Sequence, residues 1–232
     1  MIKFDDVTKI YPTHSSNGYP TIALKNISFE LKKGEFLILS GKSGAGKTTL
    51  LRLLEREEEP TSGKIFYNNK DISKIKTSKI PFYRRNLGMI YQDYKLLPQM
   101  NVFENISFAM MVMGKSDSEI RNSVPKTLEI VDLIHKVNNF PNQLSSGEKQ
   151  RLAIARAIAN QPEVILADEP TGNLDCYFTL DIVHILEKIN RLGTTVILAT
   201  HDRDLVSNLK KRVITLQEGE IIRDDEEGRF IF

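Results

Sequence analysis

The stretch from Phe36 to Leu51, FLILSGKSGAGKTTLL, constrains the fold more than any other part of the chain. Phe36 to Leu39 is an apolar run that reads as a buried strand. A glycine-rich turn follows, and a helix opens near Gly46. Gly41, four intervening residues and then Gly46-Lys47-Thr48 have the spacing of a phosphate-binding loop. Glycines let the backbone curl until its N–H groups point inward at an anion. The helix adds its positive dipole end. Lys47 can reach β- and γ-phosphates, and the Thr48 hydroxyl can ligate Mg²⁺. An ordinary glycine-rich turn is the competing reading. The strand before the turn and the helix after it favour nucleotide phosphate binding.

The chain has 232 residues, 41% of them hydrophobic and 27% charged, which supports one large α/β domain with a substantial core and a solvated surface. The net charge of +2 does not suggest a dedicated nucleic-acid binder, so no nucleic-acid partner is expected. One cysteine, Cys176, allows no intrachain disulfide and fits a reducing cytoplasm. It reads either as a redox switch or as a passive small residue. Met1 leads straight into a strand-like segment, so no signal peptide is expected. No apolar run reaches the length of a membrane span.

Ile2, Phe4 and Val7 read as a strand, and Thr13 to Pro20 as a loop. Tyr11, between them, is either a core aromatic or a stacking surface for a base. Ala23 to Leu31 alternates as a second strand, and Ile65 to Tyr67 as a short one ending at Asn68-Asn69. Residues 70 to 85 carry Lys70, Lys74, Lys76, Lys79, Arg84 and Arg85. They read as a solvated face, or as a docking surface for acidic lipid or an acidic loop of a partner. Leu87 to Tyr91 reads as a strand running into Gln92, which can ligate Mg²⁺ or orient water. Asn101 caps a predicted helix that Gly114 ends. Ser116 caps the next, with Glu119 completing a capping box and Leu128, Val131 and Leu133 continuing its apolar face. Met110, Met111 and Met113 read as core or partner-facing packing.

Val164 to Ala167 reads as a buried parallel strand ending in Asp168-Glu169-Pro170. A carboxylate there can hold the Mg²⁺ of a nucleotide through water, and its neighbour can polarise an attacking water. A helix N-cap is the bland reading. Thr195 to Ala199 is another buried strand, and it places His201 on the ligand-binding edge of such a sheet. Val213 to Leu216 and Glu220 to Ile222 form a hairpin around Glu218-Gly219. Asp224 to Glu227 reads as a solvated acidic tail.

Leu144-Ser145-Ser146-Gly147-Glu148, followed by Lys149-Gln150-Arg151, resembles the signature of ATP-binding-cassette (ABC) ATPases. The order of parts matches that family from end to end. The resemblance implies an α/β P-loop NTPase, a single domain over 1–232. It would have a mainly parallel sheet core, an antiparallel β element and a helical subdomain inserted over 93–160. It implies ATP and Mg²⁺ as cofactors and a homodimer that closes on two ATP molecules. Tyr11 would stack on adenine. Gly41, Lys42, Ser43, Gly44, Ala45, Gly46, Lys47, Thr48 and Thr49 would bind phosphates. Thr48, Gln92 and Asp168 would serve the metal. Glu169 would be the general base, and His201 would contact the γ-phosphate. Ser145, Ser146, Gly147 and Glu148 would face the γ-phosphate of the opposite subunit, with Asp175 at the dimer interface. Ser146 departs from the family's glycine, and either crowds the phosphate or donates to it.

Within the family the likeness is greatest to bacterial cell-division cassettes. It is carried by Ile80-Pro81-Phe82-Tyr83-Arg84-Arg85, Gln92-Asp93-Tyr94-Lys95-Leu96-Leu97-Pro98, and Ala167 through Asp175. The last run is shared with lipoprotein-release and macrolide-export cassettes, the alternative. Either implies a separate integral membrane subunit and a cytoplasmic, peripheral location on the inner face of the membrane. The partner would dock around Tyr94 to Phe103, through Leu96, Leu97, Met100, Val102 and Phe103, with Arg84 and Arg85 flanking.

Overall fold

The computed structural model describes residues 1–12, 19–226 and 228, without the side chains of Cys176 and Tyr177. The loop expected over Thr13–Pro20 therefore lies outside the described residues for 13–18, as does the side chain of Cys176 and the last member of the acidic run, Glu227. In chain order the elements are β1 (Ile2–Tyr11), β2 (Thr21–Leu31), β3 (Phe36–Ser40), α1 (Lys47–Leu54), β4 (Ser62–Tyr67), β5 (Lys70–Asp71) and α2 (Ile80–Arg84). There follow β6 (Leu87–Ile90), α3 (Val102–Val112), α4 (Asp117–Ile130), α5 (Ser146–Ile158), β7 (Val164–Asp168) and α6 (Cys176–Arg191). The chain continues with β8 (Thr195–Thr200), α7 (Arg203–Leu209), β9 (Arg212–Gln217) and β10 (Glu220–Asp225). Two compact units result, Met1–Arg84 with Ile197–Phe232, and Arg85–Val196. The boundary falls inside β8.

In the first unit, β1 pairs antiparallel with both β2 and β4, and β5 extends that sheet. Phe4 and Phe29 stack across β1 and β2 with centroids 4.8 Å apart, a cross-strand pair that fixes which face is buried. The register of β1 against β4 shifts between Asp5 and Thr8, where Asp6 takes a φ of 51°. Opposite this bulge lies Gly63, with φ 83°. Asn68 and Asn69, both left-handed, make the two-residue turn that joins β4 to β5. In the same unit β3 runs parallel to β9, and every residue of β3 is buried, as expected of a strand covered on both faces. Behind it, Leu50, Leu51, Leu53 and Leu54 of α1 are fully buried. Each contributes roughly 1.5–3 kcal/mol by leaving water.

β9 and β10 form the expected hairpin about Glu218-Gly219. One expectation fails here. Asp224 is no tail residue: it lies in β10, where both its oxygens accept from the Arg212 guanidinium at 2.8 and 2.7 Å. Arg212 also donates to the Glu30 carbonyl and to Glu35, so it ties β9, β10 and the end of β2 together. These partners hold its pKa above the ordinary guanidinium range, with Asp224 the largest cause.

In the second unit β6 runs parallel to β7. The expected capping box of Ser116 with Glu119 forms on α4, and the expected Asn101 cap on α3 is completed as a box by Glu104. α4 ends at Ile130, earlier than its apolar pattern suggests. Asp132 turns left-handed at φ 52°, so Val131 and Leu133 are buried as loop residues rather than as a continuation of the helix face. The methionines divide: Met110 is core, whereas Met111 is half exposed. Arg151 of α5 bridges Asp132 and Asp181, which ties α5 to the end of α4 and to α6. No helix among the described residues is long and apolar enough to cross a membrane.

Candidate active site

The candidate residues fall in both units. Tyr11, the Gly41–Thr49 loop and His201 belong to the first; Gln92, Ser145–Glu148, Asp168, Glu169 and Asp175 belong to the second.

In the first unit a glycine-rich turn joins β3 to α1. Gly41, Gly44 and Gly46 have φ of 156°, 81° and 107°. The last two lie in the left-handed region, which glycine enters at no steric cost. A Cβ on Gly41 would lie 2.5 Å from the Leu216 carbonyl, and one on Gly46 2.6 Å from the Ala23 carbonyl, so both positions are closed to larger residues. Gly46 is the N-cap of α1 and brings no capping side chain. Lys47, 5% exposed, turns back over the loop and donates to the carbonyls of Gly41 (2.7 Å) and Lys42 (3.2 Å). A cavity of about 200 Å³ opens beside Lys42–Ala45, walled on its other side by Leu216–Glu218. The chemistry suits phosphate: backbone N–H groups, an ammonium and a helix N-terminus, with the Thr48 hydroxyl as a hard oxygen donor for Mg²⁺.

Tyr11 ends β1, part-buried, with the Lys9 ammonium 4.8 Å from its ring centroid. Lys9 is itself held by Glu58 at 2.7 Å. One face of the ring thus carries a cation that Glu58 fixes in place. His201 follows β8 at the surface, just before Asp202, whose carboxylate accepts from the amides of Asp204 and Leu205 and so caps α7.

In the second unit β7 delivers Asp168 and Glu169, both part-buried, from a strand whose first four residues are buried. Glu169 has φ 49°, a conformation that an L-residue adopts only when its surroundings impose it. The turn that imposes it is visible: the Gly172 N–H donates to the Glu169 carbonyl at 3.1 Å. Gln92 meets this same turn. A Cβ on Gly172 would lie 2.9 Å from Gln92 Nε2, and Asn173 Nδ2 donates to the Gln92 carbonyl at 3.0 Å. The structure therefore brings Gln92 and the Glu169–Asn173 turn together.

The signature segment opens α5. Ser145 is the N-cap: its hydroxyl accepts from the Glu148 amide at 3.3 Å, and the Glu148 carboxylate accepts from the Ser145 amide at 2.8 Å. Hydrogen bonding to that amide, more than any other cause, holds the Glu148 carboxyl below its ordinary pKa. Ser146 is exposed. Gly147 is buried, and a Cβ there would lie 2.8 Å from the Phe178 ring, so packing alone already demands glycine. Asp175 accepts from the Phe178 amide at 3.1 Å, ahead of α6.

Two residues that sequence reasoning passed over fix the segment after Gln92. Arg156 of α5 donates to the carbonyls of Lys95 (2.5 Å) and Tyr94 (2.9 Å), both left-handed residues. Burial lowers its pKa from the usual guanidinium value. Asn105 of α3, fully buried, accepts from the Leu97 amide at 2.9 Å and donates to the carbonyls of Leu97, Met100 and Asn101. Their signal was present: each is a polar side chain set in an otherwise apolar helical stripe.

The loop so held borders a groove of about 570 Å³, whose apolar walls are Met100, Phe103, Met111 and Ile120 and whose rim carries Glu104, Asp117 and Arg121. This revises the expected docking set. Val102 is fully buried and offers no surface. Arg84 is exposed, and part of its guanidinium donates to the carbonyls of Glu55 and Arg56 just after α1.

The family profile described as ABC transporter matches residues 24–172. The chain is 47% identical over 230 residues to the cell division ATP-binding protein FtsE of Bacillus subtilis, covering 99% of this chain and 98% of that protein. It is 45% identical over 230 residues to the protein of the same name from Streptococcus pneumoniae, covering 99% of this chain and 97% of that one. Among solved structures it is similar to the ATP-binding cassette MJ0796 in a dimeric post-hydrolysis state bound to ADP and Pi. That likeness has a TM-score of 0.87 and 34% identity, over 99% of this chain and all of the other.

Proposed function

The chain belongs to the ABC transporter family of ATPases, and from that premise we propose that it is the ATP-hydrolysing subunit of a cell-division complex of the FtsE type. In this reading two copies close on ATP. A separate integral membrane subunit like FtsX receives the closure and passes a conformational signal to cell-wall hydrolases. The observation that carries the reading is the likeness to FtsE proteins along nearly the whole chain.

Each residue then has a task. Adenine stacks on Tyr11. The Gly41–Thr49 cradle takes the phosphates, and Lys47 exchanges its two loop carbonyls for phosphate oxygens. Thr48, Gln92 and Asp168 are oxygen donors of the kind Mg²⁺ takes, and the ion supplies neutralisation of phosphate charge. Glu169 accepts the proton of the attacking water, and His201 contacts the γ-phosphate. Ser145–Glu148 at the N-terminus of α5 faces the γ-phosphate held by the second copy, with Asp175 at the interface between copies.

Ser146 is expected to be tolerated in this role. Its exposed side chain leaves the Ser145 hydroxyl and the Gly147 backbone unchanged. Wild type and Ser146→Gly are expected to dimerise alike on ATP by light scattering. Dimerisation of the glycine variant alone would show that the serine blocks the closed pair.

The membrane subunit docks in the groove of Met100, Phe103, Met111 and Ile120, and the chain sits on the inner face of the cytoplasmic membrane through it. The test is a pull-down from solubilised membranes with wild type and Met100→Asp/Met111→Asp, after checking that both bind ATP. The wild type is expected to retain an FtsX-like subunit and the variant to lose it. Recovery of a lipoprotein-release or efflux permease instead would assign the chain to that kind of transporter. Recovery of no membrane protein would end the membrane-coupled reading.

A further inference from the structure

We propose that the segment carrying the exposed Lys74, Lys76, Lys79 and Phe82 binds anionic phospholipid headgroups directly, as a second membrane contact besides any protein partner. From Ile72 to Gln92 the chain holds no Asp or Glu, although its overall net charge is only +2. The positive charge is therefore local. The segment runs through two 3-10 turns, Ile72–Lys74 and Thr77–Lys79, into α2.

What makes this more than a solvated run is the way it is held. Tyr83 is 6% exposed; its hydroxyl donates to the Leu54 carbonyl at 2.6 Å and its ring meets Tyr67 edge-on at 5.5 Å. Arg84 grips the Glu55 and Arg56 carbonyls at 2.9 and 3.0 Å. Ile72 is buried at the other end. With both ends fastened inward, Phe82 is left 53% exposed, and the Lys79 ammonium lies 5.2 Å from its ring centroid. Pro81 and the side chains of Lys74 and Lys76 are exposed as well. Asp71, just before the segment, is turned to the amide and hydroxyl of Ser73 at 3.0 and 2.6 Å.

Phe82 and Pro81 present apolar surface directly beside the lysines, with the Lys79 ammonium over the Phe82 ring. An acidic peptide would satisfy the lysines and leave Pro81 and Phe82 in water. A bilayer surface satisfies both: phosphates take the ammonium groups while the ring enters the boundary between headgroups and acyl chains. The fit is to a lipid surface carrying negative charge.

The experiment is co-sedimentation of the full chain, without any membrane partner, with phosphatidylcholine vesicles and with vesicles in which phosphatidylglycerol replaces part of the lipid. Binding is expected only to the second kind, and should weaken as salt is raised. Lys74→Gln/Lys76→Gln/Lys79→Gln should weaken it about a hundredfold, at about fivefold per lysine. Phe82→Ser should weaken it without changing the salt dependence, and Phe82→Trp should restore it. Melting temperature and ATP hydrolysis should stay as in wild type, because these side chains are at the surface. Equal binding to neutral vesicles, or undiminished binding by the triple-lysine variant, would overturn the proposal. So would binding of the patch to single-stranded nucleic acid with no binding to anionic vesicles.

Discussion

Glu169→Gln is expected to bind ATP but to lose about 10²–10⁴-fold in steady-state hydrolysis, the usual worth of a general base. The substitution keeps the size and shape of the side chain, so the left-handed turn at φ 49° and its bond from the Gly172 amide should survive. What is lost is the capacity to accept a proton. A residue held in a costly backbone conformation at the end of a buried strand, next to Asp168, is where such a group belongs. If ATP holds two copies together and hydrolysis parts them, the variant should also accumulate as an ATP-bound dimer. Turnover under saturating ATP and light scattering with and without nucleotide measure the two effects separately. Unchanged turnover would remove Glu169 from the mechanism even if the dimer forms.

The largest effect on stability is expected at Gly63→Ala. Gly63 has φ 83°, and an added Cβ would lie 2.2 Å from the Asp6 carbonyl oxygen, 2.5 Å from its carbon and 2.7 Å from the Val7 Cα. All three are backbone atoms of β1, so no side chain can swing aside. The left-handed backbone costs alanine about 1–2 kcal/mol, and forcing atoms into a packed site adds about 1–3 kcal/mol. In a chain of this size each kcal/mol lowers the melting temperature by about 2–4 °C. A fall on the order of 10 °C is therefore expected by calorimetry. Gly114→Ala is the control: its φ is 81°, with nothing within 4 Å of the added carbon, so it bears the backbone cost alone. Equal melting of the two variants would show that close approach of β1 is not why position 63 is glycine.

The glycine-rich turn after β3 is legible in the sequence because its parts are local: the glycines, the lysine and the helix start lie within one short stretch. The Asn101 cap and the Ser116–Glu119 capping box are legible for the same reason, since each depends on residues three apart. What escaped reading depends on residues far apart in sequence. Arg156 meets carbonyls 61 and 62 positions away, and Phe178 decides that position 147 must be glycine. Arg84 reads as a surface cation and is one, yet its bonds to the Glu55 and Arg56 carbonyls join residues 29 and 28 positions apart. Asp224 looked like a tail residue because its partner, Arg212, stands across a hairpin. The early end of α4 turns on a single left-handed residue, Asp132, which no apolar pattern announces.

The grip of Arg156 on the segment after Gln92 has a bearing on how this protein can diverge. Both acceptors are main-chain carbonyls, so the side chains of Tyr94 and Lys95 contribute nothing to the hold. Those two positions are free to drift toward any residue that accepts a left-handed backbone, asparagine and glycine most easily. The path of the loop would be inherited while its surface changes. Position 156 has no such freedom, because a lysine's single ammonium lacks the planar fork that spans two carbonyls at once.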